Sequence, residues 1–162
     1  MGKILAKRLG RLWVDVDQCI EQSRKKRISE IFEKDGEAAF RRMEKEMISQ
    51  VTGGSQQVIT TGGGAVMDAE NLAALKKNGL LIALEATPET IFQRVKESRH
   101  RPVLKAGDWM TQIKRLLAVR QPFYAKADRT FHTDGKTAEQ VAAAIAESLE
   151  KEEEFEFGKD WF

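Results

Sequence analysis

Gln57-Val58-Ile59-Thr60-Thr61-Gly62-Gly63-Gly64 is the stretch on which the fold of this 162-residue chain turns. Its β-branched residues suit a pleated, half-buried strand, and the three glycines end that strand in a turn. Upstream, Leu12-Trp13-Val14 is a short apolar run bounded by Gly10 and Asp15, and it reads as another buried strand. Downstream, Leu80-Leu81-Ile82-Ala83-Leu84 is continuously apolar, as in a strand covered on both faces. Thr130-Phe131-His132-Thr133 is a further short strand.

Helical patterns fill the intervals. Ile4 to Leu9 reads as the end of a helix stopped by Gly10. Gln18 to Arg24 reads as helix, and Ser29 as the N-cap of one that begins its apolar face at Ile31 and Phe32. Phe40, Met43, Met47 and Ile48 share helical spacing. Ala69 to Lys77 is helical and closed by Gly79. Thr87 caps a helix that Pro88 opens and that runs to about Glu97. Met110 to Arg120 is helical until Pro122 interrupts, and Thr137 to Leu149 closes the domain. Strands alternating with helices predict an α/β fold, a parallel sheet with helices on both faces. Such sheets bind ligands beyond the carboxyl ends of their strands. Asp15, Asp17 and the triple glycine all fall at such ends.

Composition narrows the function. There are 27 Lys+Arg against 25 Asp+Glu, so a general nucleic-acid binder is not expected. No apolar run reaches the roughly 18 residues of a membrane span. The opening residues show no signal-peptide core, and one Cys allows neither an internal disulfide nor a cysteine zinc site. A cytoplasmic protein is the expectation.

Asp15 and Asp17 lie where a strand gives way to a helix, and strand alternation puts both carboxylates on one side. Two adjacent acids can divide labour, one holding a metal's water shell and the other taking a hydroxyl proton. The plainer reading makes Asp17 only the cap of the helix at Gln18. Gly62-Gly63-Gly64 lets a ligand approach the main chain and offers N–H groups to oxygens. Arg41, Arg101 and Arg120 are each ordinary surface residues alone, but together they supply forks for a carboxylate and for phosphates. Leu104 to Met110 has the composition of a lid and equally that of a plain surface loop. His100 and His132 read as structural or surface residues, Cys19 as a small packed side chain. Residues 1–149 form the expected domain, and residues 150–162 a charged, aromatic tail.

In this order, the pieces resemble the shikimate kinase family. The motifs are Leu12-Trp13-Val14-Asp15-Val16-Asp17, Ile31-Phe32 with Gly36-Glu37-Ala38-Ala39-Phe40-Arg41, Thr61-Gly62-Gly63-Gly64-Ala65-Val66, Arg101-Pro102-Val103-Leu104 and Arg120-Gln121-Pro122-Phe123-Tyr124. The resemblance implies a nucleoside-monophosphate-kinase-like (P-loop kinase) fold. It implies transfer of the γ-phosphate of ATP to the 3-hydroxyl of shikimate, with Mg2+ as cofactor, by a monomer. By resemblance, Asp17 binds the shikimate hydroxyls and serves as base, and Asp15 holds magnesium through water. Arg41 and Arg120 clamp the shikimate carboxylate, and Gly63 binds substrate through its main chain. Arg101 reaches the nucleotide and the transferring phosphate, and Lys136 contacts adenine.

The chain departs from the family at its start. The family opens with a strand and a GxxGxGKST-type phosphate loop. Gly2-Lys3-Ile4-Leu5-Ala6-Lys7-Arg8-Leu9-Gly10 fits the helix after that loop, so the fold is expected to be N-terminally truncated, with unpaired strand edges in the core and weak ATP binding. Two readings follow: a kinase whose natural chain starts upstream, or a truncated, catalytically inactive remnant that binds shikimate or a partner.

Overall fold

Val58 and Ile59 are neighbours in sequence but pack into different cores, because successive strand residues point to opposite faces. The computed structural model describes residues 1–97 and 108–157. In chain order the elements are α1 (Gly2–Arg8), β1 (Leu12–Asp15), α2 (Val16–Arg24), α3 (Ile28–Lys34), α4 (Gly36–Val51) and β2 (Gln57–Thr60). A 3-10 turn (Ala65–Met67), α5 (Ala69–Lys77), β3 (Ile82–Glu85), α6 (Pro88–Glu97), α7 (Trp109–Tyr124), β4 (Arg129–His132) and α8 (Ala138–Phe157) follow.

On one face Val58, Ile82 and Phe131 meet Leu5 of α1 and Val141, Ala142, Ile145 and Ala146 of α8. On the other, Ile59 meets Val16, Ile20, Ile31, Phe40 and Ile48 from α2, α3 and α4. The expected architecture, parallel strands covered by helices on both faces, is therefore what forms. The strands make two separate pairs, β1 with β2 and β3 with β4, each parallel. Among the described residues β2 and β3 exchange no ladder hydrogen bonds, so both inner edges are left open. No described helix is long and apolar enough to cross a membrane.

Local chemistry explains several boundaries. Gly10 ends α1 with φ of 63°, a left-handed value that costs glycine little. The N-cap of α3 is Arg27, not Ser29: the Arg27 N–H donates to Glu30 Oε2 at 2.9 Å, so the acid three residues on sets the start. β3 begins at Ile82, two residues after the apolar run does, because Leu81 N–H is taken by the Asp128 side chain. α7 continues through Pro122 to Tyr124. Proline ends a helix mainly through the bond it cannot make, and here it falls in the final turn, where little helix remains to be lost. The α8 backbone likewise runs past Leu149 to Phe157.

Candidate functional site

All four strands point their carboxyl ends at one cavity of about 1490 Å³. Its wall takes Asp17 from beyond β1, Gly62 to Gly64 from beyond β2, Glu85 from β3 and Thr133 from beyond β4.

Asp17 and Asp15 sit on different elements, so strand alternation does not relate them. Asp15 ends β1 and caps α2, accepting Gln18 N–H at 2.9 Å. The capping role considered for Asp17 thus belongs to Asp15. Asp17 lies in the first turn of α2, on the cavity wall. Its carboxyl pKa is pushed up to about 6, first by burial and then by the negative charges of Asp15, Glu44 and Glu21; Arg41 only partly offsets them. Asp17 Oδ1 is buried with no hydrogen-bond partner. It is a half-desolvated acid with an unused acceptor.

Asp15 stands behind this wall. Its Oδ2 accepts Thr60 Oγ1 at 2.9 Å, and Thr60 Oγ1 in turn accepts Trp13 Nε1 at 3.2 Å. Each Asp15 oxygen keeps a second lone pair. That suits contact with a metal through water. Among the described residues no group of three His, Cys, Asp or Glu is placed to hold a metal directly.

Arg41 and Glu44 share one face of α4. Arg41 Nη1 donates to Glu44 Oε2 at 2.7 Å, and Nη2 reaches Glu37 Oε1 at 3.3 Å. The guanidinium also lies over the Phe40 ring, 5.3 Å from its centroid. Glu44 is 1% exposed, and its Oε1 has no hydrogen-bond partner. Burial raises the Glu44 pKa, while Arg41 and Arg120 pull against that rise.

Arg120 and Tyr124 are four residues apart on α7, hence on one face. Tyr124 Oη donates to the Gly63 carbonyl at 2.9 Å, and Arg120 Nε is buried without a hydrogen-bond partner. The glycines are shaped by these side chains. A Cβ on Gly63 would stand 2.6 Å from Tyr124 Oη and 3.1 Å from Arg120 Nη1; one on Gly64 would stand 2.7 Å from Arg41 Nη2. Two guanidiniums and a tyrosine are thus pressed against bare main chain. The Gly63→Ala variant should keep the fold, because the clashing Tyr124 atom ends a side chain that can swing away. Loss of the Tyr124–Gly63 bond should cost about 1 kcal/mol in a thermal melt.

The structure brings Asp17, Arg41, Gly63 and Arg120 together. Lys136 lines the same cavity further round, its Nζ donating to the His132 carbonyl at 2.9 Å. Arg94, on α6, binds Thr133 Oγ1 and its carbonyl at 2.8 and 2.7 Å and steadies that rim. Arg101, His100 and most of the expected lid lie outside the described residues; Asp108, at the end of that segment, caps α7. His132 is exposed beside Glu85, in keeping with a surface role. The sequence reading missed Glu44 and Tyr124. The signal for Glu44 was there: a charged residue at the centre of the apolar stripe Phe40, Met43, Met47 and Ile48.

Phosphates are served less well. The sequence contains no GxxxxGK[ST]; Gly135-Lys136-Thr137 has Thr130 where the first glycine belongs. Gly2 packs on Thr60 and Trp13, and Lys3 Nζ lies 5.8 Å from the Trp13 ring rather than on the cavity wall. The described residues fit a small hydroxy acid, but they form no triphosphate cradle.

Relatives agree with this geometry. The family model described as shikimate kinase matches residues 1–150. A shikimate kinase of Thermodesulfovibrio yellowstonii is 45% identical over 151 residues, covering 93% of this chain and 87% of that protein. One from Symbiobacterium thermophilum is 40% identical over 154 residues, 93% of this chain and 88% of that protein. The solved shikimate kinase of Acinetobacter baumannii, in complex with shikimate, superposes with a TM-score of 0.89 at 33% identity, covering 93% of this chain and 85% of that one. Matched by the family model over residues 1–150 and by relatives 40–45% identical over 93% of its length, the chain belongs to the shikimate kinase family.

Proposed function

We propose that the chain transfers the γ-phosphate of ATP to the 3-hydroxyl of shikimate, the step that carries shikimate towards chorismate and the aromatic amino acids. One observation carries the substrate end of this reading: Arg41, Arg120 and the raised carboxyl of Asp17 converge on the bare main chain of Gly62 to Gly64. A ring acid with hydroxyls needs these groups: forks for its carboxylate, an acceptor for its hydroxyl protons and main-chain polar groups within reach. Arg41 and Arg120 hold the carboxylate. Gly63 binds through its main chain. Asp17 orients the reacting hydroxyl and takes its proton as oxygen bonds to the γ-phosphorus and ADP departs. Asp15 would hold magnesium through water, and magnesium when bound neutralises charge on the phosphates. Arg101 and Lys136 remain the proposed contacts to the nucleotide. A monomer working in the cytoplasm, where ATP is supplied, completes this reading.

Calorimetric titration with shikimate and with its methyl ester tests the reading. The ester lacks the anionic carboxylate, so it should bind at least ~30-fold more weakly, a difference of about 2 kcal/mol. Arg120→Ala should reduce that preference to what Arg41 alone supplies. Equal binding of acid and ester would sink the proposal.

Mass-spectrometric detection of shikimate 3-phosphate after incubation with magnesium and ATP tests turnover itself; binding without product would leave only the shikimate-binding half of the proposal standing.

A further inference from the structure

Every carbonyl from Gly62 to Ala65 is engaged, but not by the same kind of partner. Gly62 O accepts Ala65 N–H at 3.1 Å, and Gly64 O accepts Met67 N–H at 3.1 Å. Ala65 O accepts Asp68 N–H at 3.4 Å and Asn71 Nδ2 at 3.0 Å. Gly63 O lies outside this local supply: its donor is Tyr124 Oη, at 2.9 Å and 61 residues away in sequence. The N–H groups of Gly63 and Gly64, by contrast, donate to nothing among the described residues. The turn uses up its acceptors and keeps its donors, which is the polarity an oxygen-rich anion requires.

A trans peptide sets C=O and N–H in opposite directions. The hydroxyl that holds Gly63 O therefore also fixes the direction of Gly64 N–H, away from Tyr124. A lock matters at this peptide because glycine stands on both sides of it, so side chains offer no resistance to its turning over. Turned over, it would set a carbonyl where the donor stands, and an anionic oxygen would be repelled there. Tyr124 and Arg120 share one face of α7, and both line the cavity with Gly63 and Gly64. The helix that supplies an acid fork thus also sets a main-chain donor.

We infer that Tyr124 is a positioning residue: its hydroxyl locks the Gly63–Gly64 peptide so that Gly64 N–H is presented to the bound acid. The inference rests on the shikimate reading for the identity of that acid. The effect has a natural size. One neutral hydrogen bond shifts the balance between two peptide orientations about fivefold, and apparent affinity scales with the competent fraction.

The test is Tyr124→Phe, which keeps the ring and removes the hydroxyl. Relaxation dispersion on the full chain labelled with 15N-glycine reads the Gly64 amide, and calorimetry reads shikimate affinity. The parent should show no exchange at Gly64. Tyr124→Phe should show exchange at Gly64 in the free chain, lose it at saturating shikimate, and bind shikimate about fivefold more weakly. The control is Asn71→Ala. It removes a bond to the same turn at Ala65, whose carbonyl keeps Asp68 N–H, so it should lower the melting temperature without exchange at Gly64. A quiet Gly64 in Tyr124→Phe, unchanged shikimate affinity in that variant, or equal exchange in Asn71→Ala would overturn the inference. A parent that binds no shikimate would sink the kinase reading instead, and the free-chain Gly64 amide would still decide the lock.

Discussion

Replacing Arg41 by alanine is expected to remove the acid fork and destabilise the fold in one stroke. Glu44 is 1% exposed and takes its charge-assisted hydrogen bond from Arg41 at 2.7 Å. Deleting one partner of a buried pair strands the other, at a cost of about 3–5 kcal/mol for a fully enclosed pair. Here the Arg41 side chain is 36% exposed, so water reaches the gap and a loss of about 2 kcal/mol is expected. The loss should shrink in acid, because a protonated Glu44 no longer carries the stranded charge. Shikimate affinity should fall about 100-fold, as expected for loss of a bidentate carboxylate contact. The double variant Arg41→Ala/Glu44→Gln should recover most of the stability and none of the affinity. Arg41→Lys should keep the ion pair but lose the fork, giving near-normal melting and weak binding. Chemical denaturation and calorimetry separate the effects, and full recovery of binding in the double variant would show that Arg41 serves only to satisfy Glu44.

The sequence exposes the frame more readily than the site's second layer. Each strand announces itself through a β-branched or apolar run, and the helices through spacing, because burial on two faces leaves little choice of side chain. Boundaries blur where a side chain far along the chain intervenes, as Asp128 does at Leu81. Asp17, Arg41, Gly63 and Arg120 are legible only as a set, through the family resemblance, because each arginine alone reads as an ordinary surface residue and the acid as a helix cap. What is not legible is their mutual support. Tyr124 reaches Gly63 across 61 residues, and Thr60 reaches Asp15 across 45. Such long-range bonds leave no local pattern, and only Glu44, intruding on an apolar stripe, gives a hint of its own. The divided sheet is legible only as an expectation of unpaired edges; that the two halves stay under one helical cover, α1 and α8 against Val58, Ile82 and Phe131, requires the packing itself.

The Asp17→Asn variant should be more stable and far less active than the parent. In the folded protein the Asp17 carboxyl titrates at about 6, above its ordinary 3.8, first because it is partly buried and then because Asp15, Glu44 and Glu21 repel its charge. The folded state therefore holds a proton that the unfolded chain has released, and Asp17 lowers stability as pH rises from about 4 to about 6. Solvent still reaches part of the group, so the penalty at neutral pH is about 2 kcal/mol rather than the full value of the shift. Asparagine keeps the shape and carries no charge. Its gain should be complete above pH 6, fade through the interval and vanish below pH 4, which denaturation at three pH values reads directly. Activity should move the other way. A base with a pKa near 6 is largely ionised at neutral pH, and its loss should lower turnover by roughly 100-fold or more, as for other positioned bases. Parent activity should rise with pH through about 6 as Asp17 loses its proton. A variant that gains no stability at neutral pH would show that the carboxylate is better solvated than its burial suggests. A stabilised variant that kept full turnover would remove Asp17 from the proton's path. The burial and charge repulsion that weaken the fold also make the carboxylate a better proton acceptor, so the two effects should be inseparable at this position.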